Sequence, residues 1–557
     1  MRFIYTPFLV LLLAGCSAYD DIDRTPSVEG DITDKLSWYN DIDDAKALRI
    51  DVDIPVPNDY QCAPYTDINA TPRECTLADI DGDINPYDQY KPKLHVALYT
   101  DDFNQEMTVN ASMKQKGKST RETSQKSYRI KLDSKEELYL NERTLQLNKH
   151  AYDHSRVRNK LSFELFETIP NIPSLKTRFV HLFVNNEDYG LFTHVEKVDD
   201  LYLKNRGWNE EDNLYKIQEF DFRMSDDLRL DKDGKPLDKD AFELRVELES
   251  GKEYRHFIKM VEDVESATQE NFEKIFNKYF NRENYITWMA SNIILGNKDT
   301  TSQNFFLYNP KFSDTYYFIP WDYDGISQDE SKYSKWEHGV ANWWSVPLHQ
   351  NFLKIAKNRE DLDTKVKELR AKYITDTIIK TKLAEYKKVV EPFLETVPDS
   401  KRLSVTDWQT EIDSLPQRIQ QNIDWYNEEK GSPMPFWQIA KYDTDNKKLT
   451  LWWGDSYDLE GDKIVYDVEL ADNLDFNNSI VSEKNLELGD GKLQVPEASQ
   501  EYFGTYYYQE DINLAPGIYY MRVTAKEKNN SSHWQYSFDK VITGDKYYFG
   551  TLAFEVK

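Results

Sequence analysis

The sequence predicts a protein of the α+β class that ends in a small β-sandwich. Apolar and polar residues alternate in three runs within residues 92–132, which is the period of β-strands. Helical periodicity dominates from about residue 254 to 430, where only residues 304–320 have the pattern of a hairpin. From residue 436 to 557 the chain returns to short alternating strands separated by turns, a spacing typical of an antiparallel sandwich.

The composition limits the class of partner. The chain carries 98 acidic and 70 basic side chains, for a net charge of −28 at pH 7. Such a charge repels phosphate backbones, so we expect no nucleic-acid partner. An aromatic content of 14% argues for folded domains rather than disorder, and the length predicts roughly two to four of them.

Residues 1–16 predict a bacterial lipoprotein signal peptide. The apolar run at residues 8–13 is too short for a membrane-spanning helix, which needs ~20 residues, but it suits the apolar region of a secretory signal. Leu13-Ala14-Gly15-Cys16 resembles the lipobox, which implies cleavage and acylation of Cys16. The alternative is an ordinary signal peptide that contains a cysteine by chance.

A lipid anchor at Cys16 defines the expected location of the protein, the bacterial cell envelope. Ser17 resembles the residue found in lipoproteins sent to an outer membrane, where they face the periplasm or the cell surface. Residues 17–45 are acidic and aperiodic, as in a flexible tether. No later segment is apolar enough to span a bilayer, so we expect membrane contact through the lipid alone.

Two cysteines remain once Cys16 is lipidated. Cys62 and Cys75 form an even pair in an oxidising compartment, which predicts one disulfide across a short loop. The alternative is two unrelated buried thiols. The cysteines and the scattered histidines lack the spacing of a zinc site.

An acidic run follows the second cysteine. Asp79, Asp81 and Asp83 alternate in sequence, so their oxygens could surround a Ca²⁺ ion. Gly82 stands at the wrong position for an EF-hand loop. A plain acidic turn is the alternative interpretation of this run.

The residues with the clearest chemical pattern lie between positions 284 and 325. A helix is predicted from Asn284 to Leu295, and it ends at Gly296, a suitable residue after a helix. A polar loop with Asp299 and Asn304 follows. The loop therefore presents a carboxylate and an amide just beyond the end of a helix.

A hairpin after this loop brings in a third polar side chain. Residues 305–308 and 316–319 predict two strands around a turn near Phe312. Residues equally far from the turn face each other in a hairpin. We therefore expect Asn304 to lie opposite Pro320 and near Asp322.

These three side chains match a phosphoryl-transfer site. In such sites one Asp accepts the proton of the substrate hydroxyl, while an Asn and a second Asp hold Mg²⁺ on the phosphates. The spacing of Asp299 and Asn304 equals that of a protein-kinase catalytic loop. The alternative is a polar loop that closes a helix before an ordinary hairpin.

Several stretches resemble the CotH kinase family. GNKDTTSQNFFLY and YYFIPWDYDG carry its Asn-x-Asp loop, its Asn-aromatic-aromatic triplet and its Trp-Asp pair. Further family-like stretches occur in the same order at residues 117–132, 147–166 and 188–204. The resemblance implies an atypical protein-kinase-like domain over residues 46–432, which transfers phosphate from ATP to protein Ser or Thr, including that of spore-coat substrates.

The resemblance also implies roles for single residues. Asp299 is the catalytic base, and Asn304 and Asp322 are the ligands of Mg²⁺ or Mn²⁺. Lys126 matches the family Lys expected on the α- and β-phosphates of ATP. Gln125 replaces the first Lys of the usual pair, and the alternative for Lys126 is a solvated strand residue.

Two glutamates complete the predicted ATP site. Glu164 lies on the apolar stripe of its helix, where a buried carboxylate needs a cation, and Lys126 is the candidate. A partly exposed Glu164 is the alternative. Glu196 follows a predicted strand and is assigned to the hinge under the adenine. Asp324 either joins the site or caps the following turn.

The C-terminal residues 436–557 resemble a fibronectin type III module, which implies binding or spacing rather than catalysis. Three classes of function are therefore compared. The first is an active kinase, the second a catalytically idle surface or coat protein, since ATP is scarce outside the inner membrane. The third is a carbohydrate or matrix adhesin. The intact set of Asp299, Asn304 and Asp322 favours the first, because a scaffold has no need of all three.

Overall fold

The computed structural model describes residues 32–40, 42, 45–85, 90–135, 137–328, 333–489, 491–495 and 505–557. The predicted signal peptide and Cys16 lie outside these residues. Within them, no helix is both long and apolar enough to cross a bilayer. The protein is a mixed α+β structure with a β-barrel, a helical region and a β-rich C-terminal region.

The N-terminal part of the chain, called here the barrel lobe, is a closed barrel of seven strands in the order β1-β4-β5-β6-β7-β9-β8. Its elements are β1 (Leu48–Asp53), β2 (Gln61–Cys62), β3 (Arg73–Glu74), α1 (Leu77–Asp81), β4 (Leu94–Tyr99), β5 (Ala111–Lys116), β6 (Ser127–Leu132), β7 (Thr144–Asn148), α2 (Arg158–Phe166), β8 (Thr177–Val184) and β9 (Glu187–Val195).

Alternation along the strands builds the interior of the barrel. Ala111 and Met113 of β5 point inward and are buried, so Lys114 and Lys116 project from the other face of the same strand. Strands β8 and β9 form a hairpin whose turn residues, Asn185 and Asn186, both have positive φ, the conformation of a two-residue hairpin turn. The predicted strands of this region are confirmed.

The helical lobe follows and contains a four-stranded sheet in the order β11-β10-β12-β13. Its elements are α3 (Asp200–Asn205), β10 (Asn213–Ile217), α4 (Lys239–Arg245), β11 (Val246–Ser250), α5 (Arg255–Glu265), α6 (Phe272–Tyr279), α7 (Arg282–Leu295), β12 (Phe305–Asn309), β13 (Tyr317–Pro320), α8 (Pro347–Lys354), α9 (Ala356–Lys372), α10 (Asp376–Leu394) and α11 (Val405–Glu429).

Helix α7 is the central element of the helical lobe. Every residue from Asn284 to Leu295 is buried, and Trp288 packs on Phe318 of the adjacent strand with a ring-centroid distance of 4.3 Å. The helix ends at Gly296, which adopts the left-handed conformation that glycine favours after a helix. The predicted helix and its glycine stop are confirmed.

The C-terminal region consists of two packed sheets and a separate two-stranded hairpin. Its strands are β14 (Gln438–Asp443), β15 (Lys448–Trp453), β16 (Ile464–Ala471), β17 (Val481–Leu486), β18 (Tyr506–Asp511), β19 (Gly517–Glu527), β20 (Trp534–Tyr536), β21 (Lys540–Thr543), β22 (Lys546–Phe549) and β23 (Thr551–Val556). One sheet has the order β14-β15-β18; in the other, β17-β16-β19-β20 is joined by β23 beside β19. Leu451 of the first sheet and Val468 of the second share one core.

This sandwich packs on the helical lobe rather than standing apart from it. Leu459 and Phe538 belong to the buried cluster of the helical lobe. Arg359 on α9 donates to the backbone carbonyl oxygen of Leu459 at 2.7 Å. The sandwich and the helical lobe therefore share an apolar core at their boundary.

Part of the predicted tether belongs to the folded body, which corrects that prediction for residues 32–40. Ile32 and Tyr39 are buried, and Asp34 binds the Arg206 guanidinium at 3.0 Å. The indole of Trp38 lies under the Lys176 ammonium, 3.7 Å from the ring centroid. The acidic composition of residues 17–45 did not indicate this packing, because only a few side chains of the segment make these contacts.

The loop closed by Cys62 and Cys75 contains the predicted disulfide. The acidic run after it does not form the calcium site considered from the sequence. Asp79 accepts from the Arg73 guanidinium at 2.7 Å, and Asp83 pairs with a buried Arg121. Asp81 accepts from the tyrosine hydroxyl of β6 at 2.9 Å. The three carboxylates thus have separate protein partners and do not converge on one point.

Candidate functional site

The loop after α7 brings two of the predicted residues into contact. The Asn304 amide donates to the Asp299 carboxylate at 2.9 Å and to the Asp299 carbonyl at 3.0 Å. Gln303 also donates to the Asp299 carboxylate. Asn304 has a φ of 58°, a conformation that Asn adopts more readily than most residues. Asp299 is therefore oriented by two amide donors of its own loop.

The hairpin places Asp322 at the same end of the sheet, with a small difference in register. Phe305 pairs with Pro320, so the predicted pairing of Asn304 with Pro320 is wrong by one residue. The innermost pair joins Tyr308 and Tyr317, so the turn is centred between Phe312 and Ser313 rather than on Phe312. Asp322 follows with a φ of 59°, which ends the strand beside the loop of Asn304.

The electrostatics confirm that the carboxylates are close. Burial raises the pKa of Asp322 to about 7, and the negative charges of Asp324 and Asp299 add to this rise. Burial also raises the pKa of Asp299, with a further contribution from the charge of Asp324. Carboxylates that repel each other in a sheltered site are stabilised by a cation.

The donor set fits a hard divalent cation. The carboxylate of Asp322 and the amide oxygen of Asn304 are the ligand types that Mg²⁺ prefers. Among the described residues, no group of three or more acidic, His or Cys side chains is arranged to enclose a metal ion. Mg²⁺ sites in phosphotransferases commonly have only one or two carboxylates, because substrate phosphates and water supply the other ligands.

Helix α2 holds the backbone around Asp322. The Asn159 side chain accepts from the backbone N–H of Tyr323 at 2.7 Å, and Arg158 donates to the Ile326 carbonyl at 2.6 Å. The buried Tyr323 hydroxyl donates to Asn292 of α7 at 2.7 Å. Residues of α2 thus hold the backbone that directly follows Asp322.

A second set of buried contacts holds the loop of Asp299. One His349 ring nitrogen lies 2.9 Å from the Thr301 carbonyl oxygen, and the other lies 2.7 Å from the Tyr285 hydroxyl. Burial lowers the pKa of His349 to about 3, so the ring is neutral. Asn342 donates to the Lys298 carbonyl at 3.1 Å. The loop of Asp299 is therefore anchored on both sides of this residue.

Lys116 is the lysine that the structure brings to this site. Its ammonium donates to Asn148 at 2.6 Å and lies 5.6 Å from the Trp321 ring centroid. Burial lowers the pKa of Lys116, and the charge of Asp322 opposes this shift. Lys116 was not among the residues predicted from the sequence. Its outward position at the end of β5 is the sequence signal that could have identified it.

Lys126 lies elsewhere. Its ammonium donates to the Arg121 carbonyl at 2.5 Å. Burial lowers the pKa of Lys126, and the nearby charge of Asp81 opposes that effect. The structure therefore places Lys126 beside the acidic run of the barrel lobe and does not bring it together with Asp299, Asn304 and Asp322.

Glu164 is buried, as its helical position indicated, but its partners differ from the predicted one. Its carboxylate pairs with Lys160 at 2.5 Å and with Lys382 at 2.7 Å. Tyr386 also donates to it at 2.7 Å. The predicted pairing with Lys126 is thus wrong, because helix α10 supplies a cation that local sequence cannot reveal.

Glu196 follows strand β9, as expected of a segment that connects two lobes. Its carboxylate is buried and takes two hydrogen bonds from Arg206, both at 2.9 Å. The Trp38 indole donates to it at 3.2 Å. The carboxylate of Glu196 is therefore engaged in a buried ion pair with Arg206, and its assignment to the adenine hinge stays a prediction.

Two more residues that sequence reasoning did not assign lie at the site. His150 has a positive φ, and its ring nitrogen is 3.6 Å from the Asp324 carboxylate. The charge of His150, when protonated, also lowers the pKa of Asp322. Asp324 consequently influences Asp322 through its charge, and the two interpretations of Asp324 made from the sequence stay predictions.

The outer face of β5 and β6 adds positive charge above these carboxylates. Lys114 and Arg129 lie opposite each other on these strands, and the charge of Arg129 lowers the pKa of Lys114 further than burial alone. The charges of Arg129 and of Lys216 on β10 likewise lower the pKa of Lys116. Lys116 therefore interacts electrostatically both with these cations and with the carboxylates of Asp322 and Asp324.

An Asp oriented by amides, an Asn–Asp pair and a facing lysine are the residue types of a metal-assisted phosphotransfer site. Comparison with protein families matches residues 113–426, more than half of the chain, to the family described as CotH kinase protein. The chain belongs to the CotH kinase protein family.

One curated relative is the inner spore coat protein H of Bacillus subtilis (strain 168). It is 26% identical over 212 residues, which cover 38% of this chain and 56% of the relative. The chain thus spans just over half the length of that relative. The matched family region contains both the loop of Asp299 and the turn of Asp322.

Proposed function

We propose that the protein is a kinase that transfers the γ-phosphate of ATP to Ser or Thr hydroxyls of a protein, with Mg²⁺ or Mn²⁺. The proposal rests mainly on the contact of Asn304 with Asp299 at 2.9 Å, beside an Asp322 whose pKa responds to Asp299 and to Lys116. This combination supplies a base, two metal ligands and a phosphate cation within one cleft. Membership of the CotH kinase protein family supports it.

Each residue has a distinct role in this proposal. Asp299 accepts the proton of the acceptor hydroxyl as its oxygen attacks the γ-phosphorus and ADP leaves. Gln303 and Asn304 orient the Asp299 carboxylate through their amide groups. Asn304 and Asp322 would hold the divalent cation, which neutralises charge on the phosphates when bound. Lys116 takes the phosphate contact that the resemblance assigned to Lys126.

The cleft surface also supports binding of a polyanion. The chain has a net charge of −28, yet the charge of Arg129 acts on both Lys114 and Lys116, and that of Lys216 acts on Lys116. The pKa of Lys116 is lowered because burial and the neighbouring cations disfavour its charge. Phosphate groups bound between these side chains would stabilise the charged form of Lys116.

A transfer assay tests the proposed activity. The purified protein is incubated with labelled ATP, Mg²⁺ or Mn²⁺, and casein as a generic acceptor. We expect label on Ser or Thr that disappears when the divalent cation is chelated. If ATP binds but no label appears on casein or on the protein itself, the chain is better described as a catalytically idle surface or coat protein.

Lys116→Met separates the two candidate lysines. Loss of a charged hydrogen bond of about 1.5–3 kcal/mol should weaken ATP binding by roughly 10- to 100-fold. The matched Lys126→Met should leave the affinity within about twofold, because Lys126 lies at the Arg121 carbonyl. Calorimetry with a non-hydrolysable ATP analogue and Mg²⁺ measures both. The reverse order of effects would restore the assignment made from the resemblance.

We also propose that the protein is anchored in the bacterial envelope by a lipid on Cys16. The sequence Leu13-Ala14-Gly15-Cys16 motivates this proposal. Cys16→Ser should leave the protein without lipid and released from membranes, because no second acylation site replaces the thiol. Membrane fractionation and mass spectrometry of the N-terminus measure both properties. Membrane-bound, lipid-carrying Cys16→Ser protein would contradict the anchor.

A further inference from the structure

The C-terminal sandwich contacts a segment that leads toward the catalytic loop. This segment, residues 333–343, is called here the bridge. The Trp336 ring meets the Phe538 ring of the sandwich edge to face, with centroids 5.1 Å apart. The backbone N–H of Lys335 donates to the Tyr536 hydroxyl at 3.4 Å. Both partners on the sandwich side lie in or directly after strand β20.

A buried polar cluster strengthens this contact. Glu429 at the end of α11 is 2% exposed, and Gln535 of β20 is fully buried. Gln535 donates to the Glu429 carboxylate at 3.1 Å, and Lys335 of the bridge pairs with the same carboxylate. A buried carboxylate needs all its partners, so the sandwich and the bridge depend on each other here.

The other end of the bridge contacts the catalytic loop directly. Tyr333 lies under the Lys298 ammonium, which is 3.6 Å from the ring centroid. Asn342 donates to the Lys298 carbonyl at 3.1 Å. Lys298 immediately precedes Asp299, so these two contacts hold the residue next to the proposed base. Trp343 further packs on His349, with ring centroids 5.0 Å apart.

We propose that the sandwich positions the catalytic loop through the bridge, and that Gln535 and Phe538 are positioning residues of the phosphotransfer site. A polar loop with few apolar contacts of its own opens easily unless neighbouring elements hold it. Here the holding element is itself packed against the sandwich. The sandwich is therefore a working part of the catalytic unit, beyond the binding or spacing role that its resemblance implies. The activity part of this inference rests on the proposed kinase function.

The test uses full-length variants and amide hydrogen exchange, which needs no activity. Gln535→Leu and Phe538→Ala should each speed exchange of the amides in residues 297–304 by about tenfold, because the loop opens more often when its support is weakened. Exchange in strands β5 and β6 should stay at the parental rate. Ile518→Ala, a change at a 57% exposed residue of the same sandwich, is the matched control and should change neither region.

A milder variant keeps the test valid if the first two do not fold. Tyr536→Phe removes only the hydroxyl that accepts from Lys335, and it should speed loop exchange to a smaller extent. Faster exchange confined to the sandwich and the bridge, with residues 297–304 unchanged, would overturn the proposal. Equal acceleration in β5 and β6 would overturn it as well, since it would indicate general destabilisation.

Kinetics provide a second readout. Where the parent transfers phosphate, kcat of Phe538→Ala should fall by about tenfold, because the loop positions Asp299, and the KM for ATP should change less, because Asp322 and Lys116 lie outside the loop. A change in KM alone would count against the proposal. If loop exchange responds as expected but no variant or parent transfers phosphate, the kinase function fails while the positioning role stands.

Discussion

Asp322→Asn is expected to abolish Mg²⁺-dependent ATP binding together with phosphate transfer. The substitution removes the negative charge that the cation needs and leaves an amide in a buried position near two other carboxylates. Calorimetry with a non-hydrolysable nucleotide, with and without Mg²⁺, measures the loss. The parent should bind more tightly with Mg²⁺, and the variant should bind equally weakly in both conditions.

The control is a matched change at an exposed aspartate. Asp226→Asn alters a side chain that is 86% exposed and should leave metal-dependent binding at the parental value. Asn304→Ala should weaken binding of the metal ion but retain some nucleotide affinity, because Asp322 and Lys116 remain. Mg²⁺-dependent binding of parental strength in Asp322→Asn would show that this carboxylate is not a metal ligand.

Asp299→Asn is expected to retain ATP and Mg²⁺ but to lose phosphate transfer by ~10²-fold or more, the contribution typical of a positioned general base. The substitution removes the proton acceptor without removing a proposed metal ligand. Its amide also preserves the size of the side chain that Gln303 and Asn304 contact. A single-turnover transfer assay, run beside the binding measurement, separates chemistry from affinity.

The two variants together decide the assignment of roles. If Asp299→Asn transfers phosphate at the parental rate, Asp299 is not the base. If Asp299→Asn loses nucleotide affinity as severely as Asp322→Asn, both carboxylates bind the metal ion and do not have separate roles. Melting curves of both variants are needed, because Asp299 accepts hydrogen bonds from Gln303 and Asn304 and Asp322 lies among other charged groups of the fold.

Local sequence patterns predicted the part of the site that local geometry controls. The helix that ends at Gly296, the loop of Asp299 and Asn304, and the hairpin that leads to Asp322 were all predicted from short-range signals. The register was wrong by one residue, because the turn is centred between Phe312 and Ser313 rather than on Phe312. Short-range patterns succeed here because helix stops and hairpins depend on residues close in sequence.

The lysine of the site shows where such patterns fail. Lys126 was selected from a resemblance, whereas the structure brings Lys116 beside Asp322. Lys116 ends β5 and Lys126 immediately precedes β6, so the two lysines lie at opposite ends of the same connection. Which one faces the cleft depends on how the closed barrel sits on the helical lobe, a relation between distant parts of the chain.

Glu164 and Glu196 lead to the same conclusion. Both were assigned to the ATP site, Glu164 with Lys126 as its cation, but the structure pairs Glu164 with Lys160 and Lys382, and Glu196 with Arg206. A buried charge must find a partner, and sequence can state that need without naming the partner. One of the two lysines that pair with Glu164, Lys382, lies on α10, far along the chain.

The sequence by itself determined the α+β class, the boundary region before the C-terminal sandwich, the Cys62–Cys75 disulfide and the loop that carries Asp299 and Asn304. These features follow from periodicity, turn residues and motif spacing, which act over short stretches of chain. Only the tertiary structure decided that Lys116 faces Asp322, that the charges of Asp324 and His150 act on Asp322, and that the sandwich packs against the bridge. Those choices depend on burial and on charges brought together from distant segments, and such contacts leave no local pattern in the sequence.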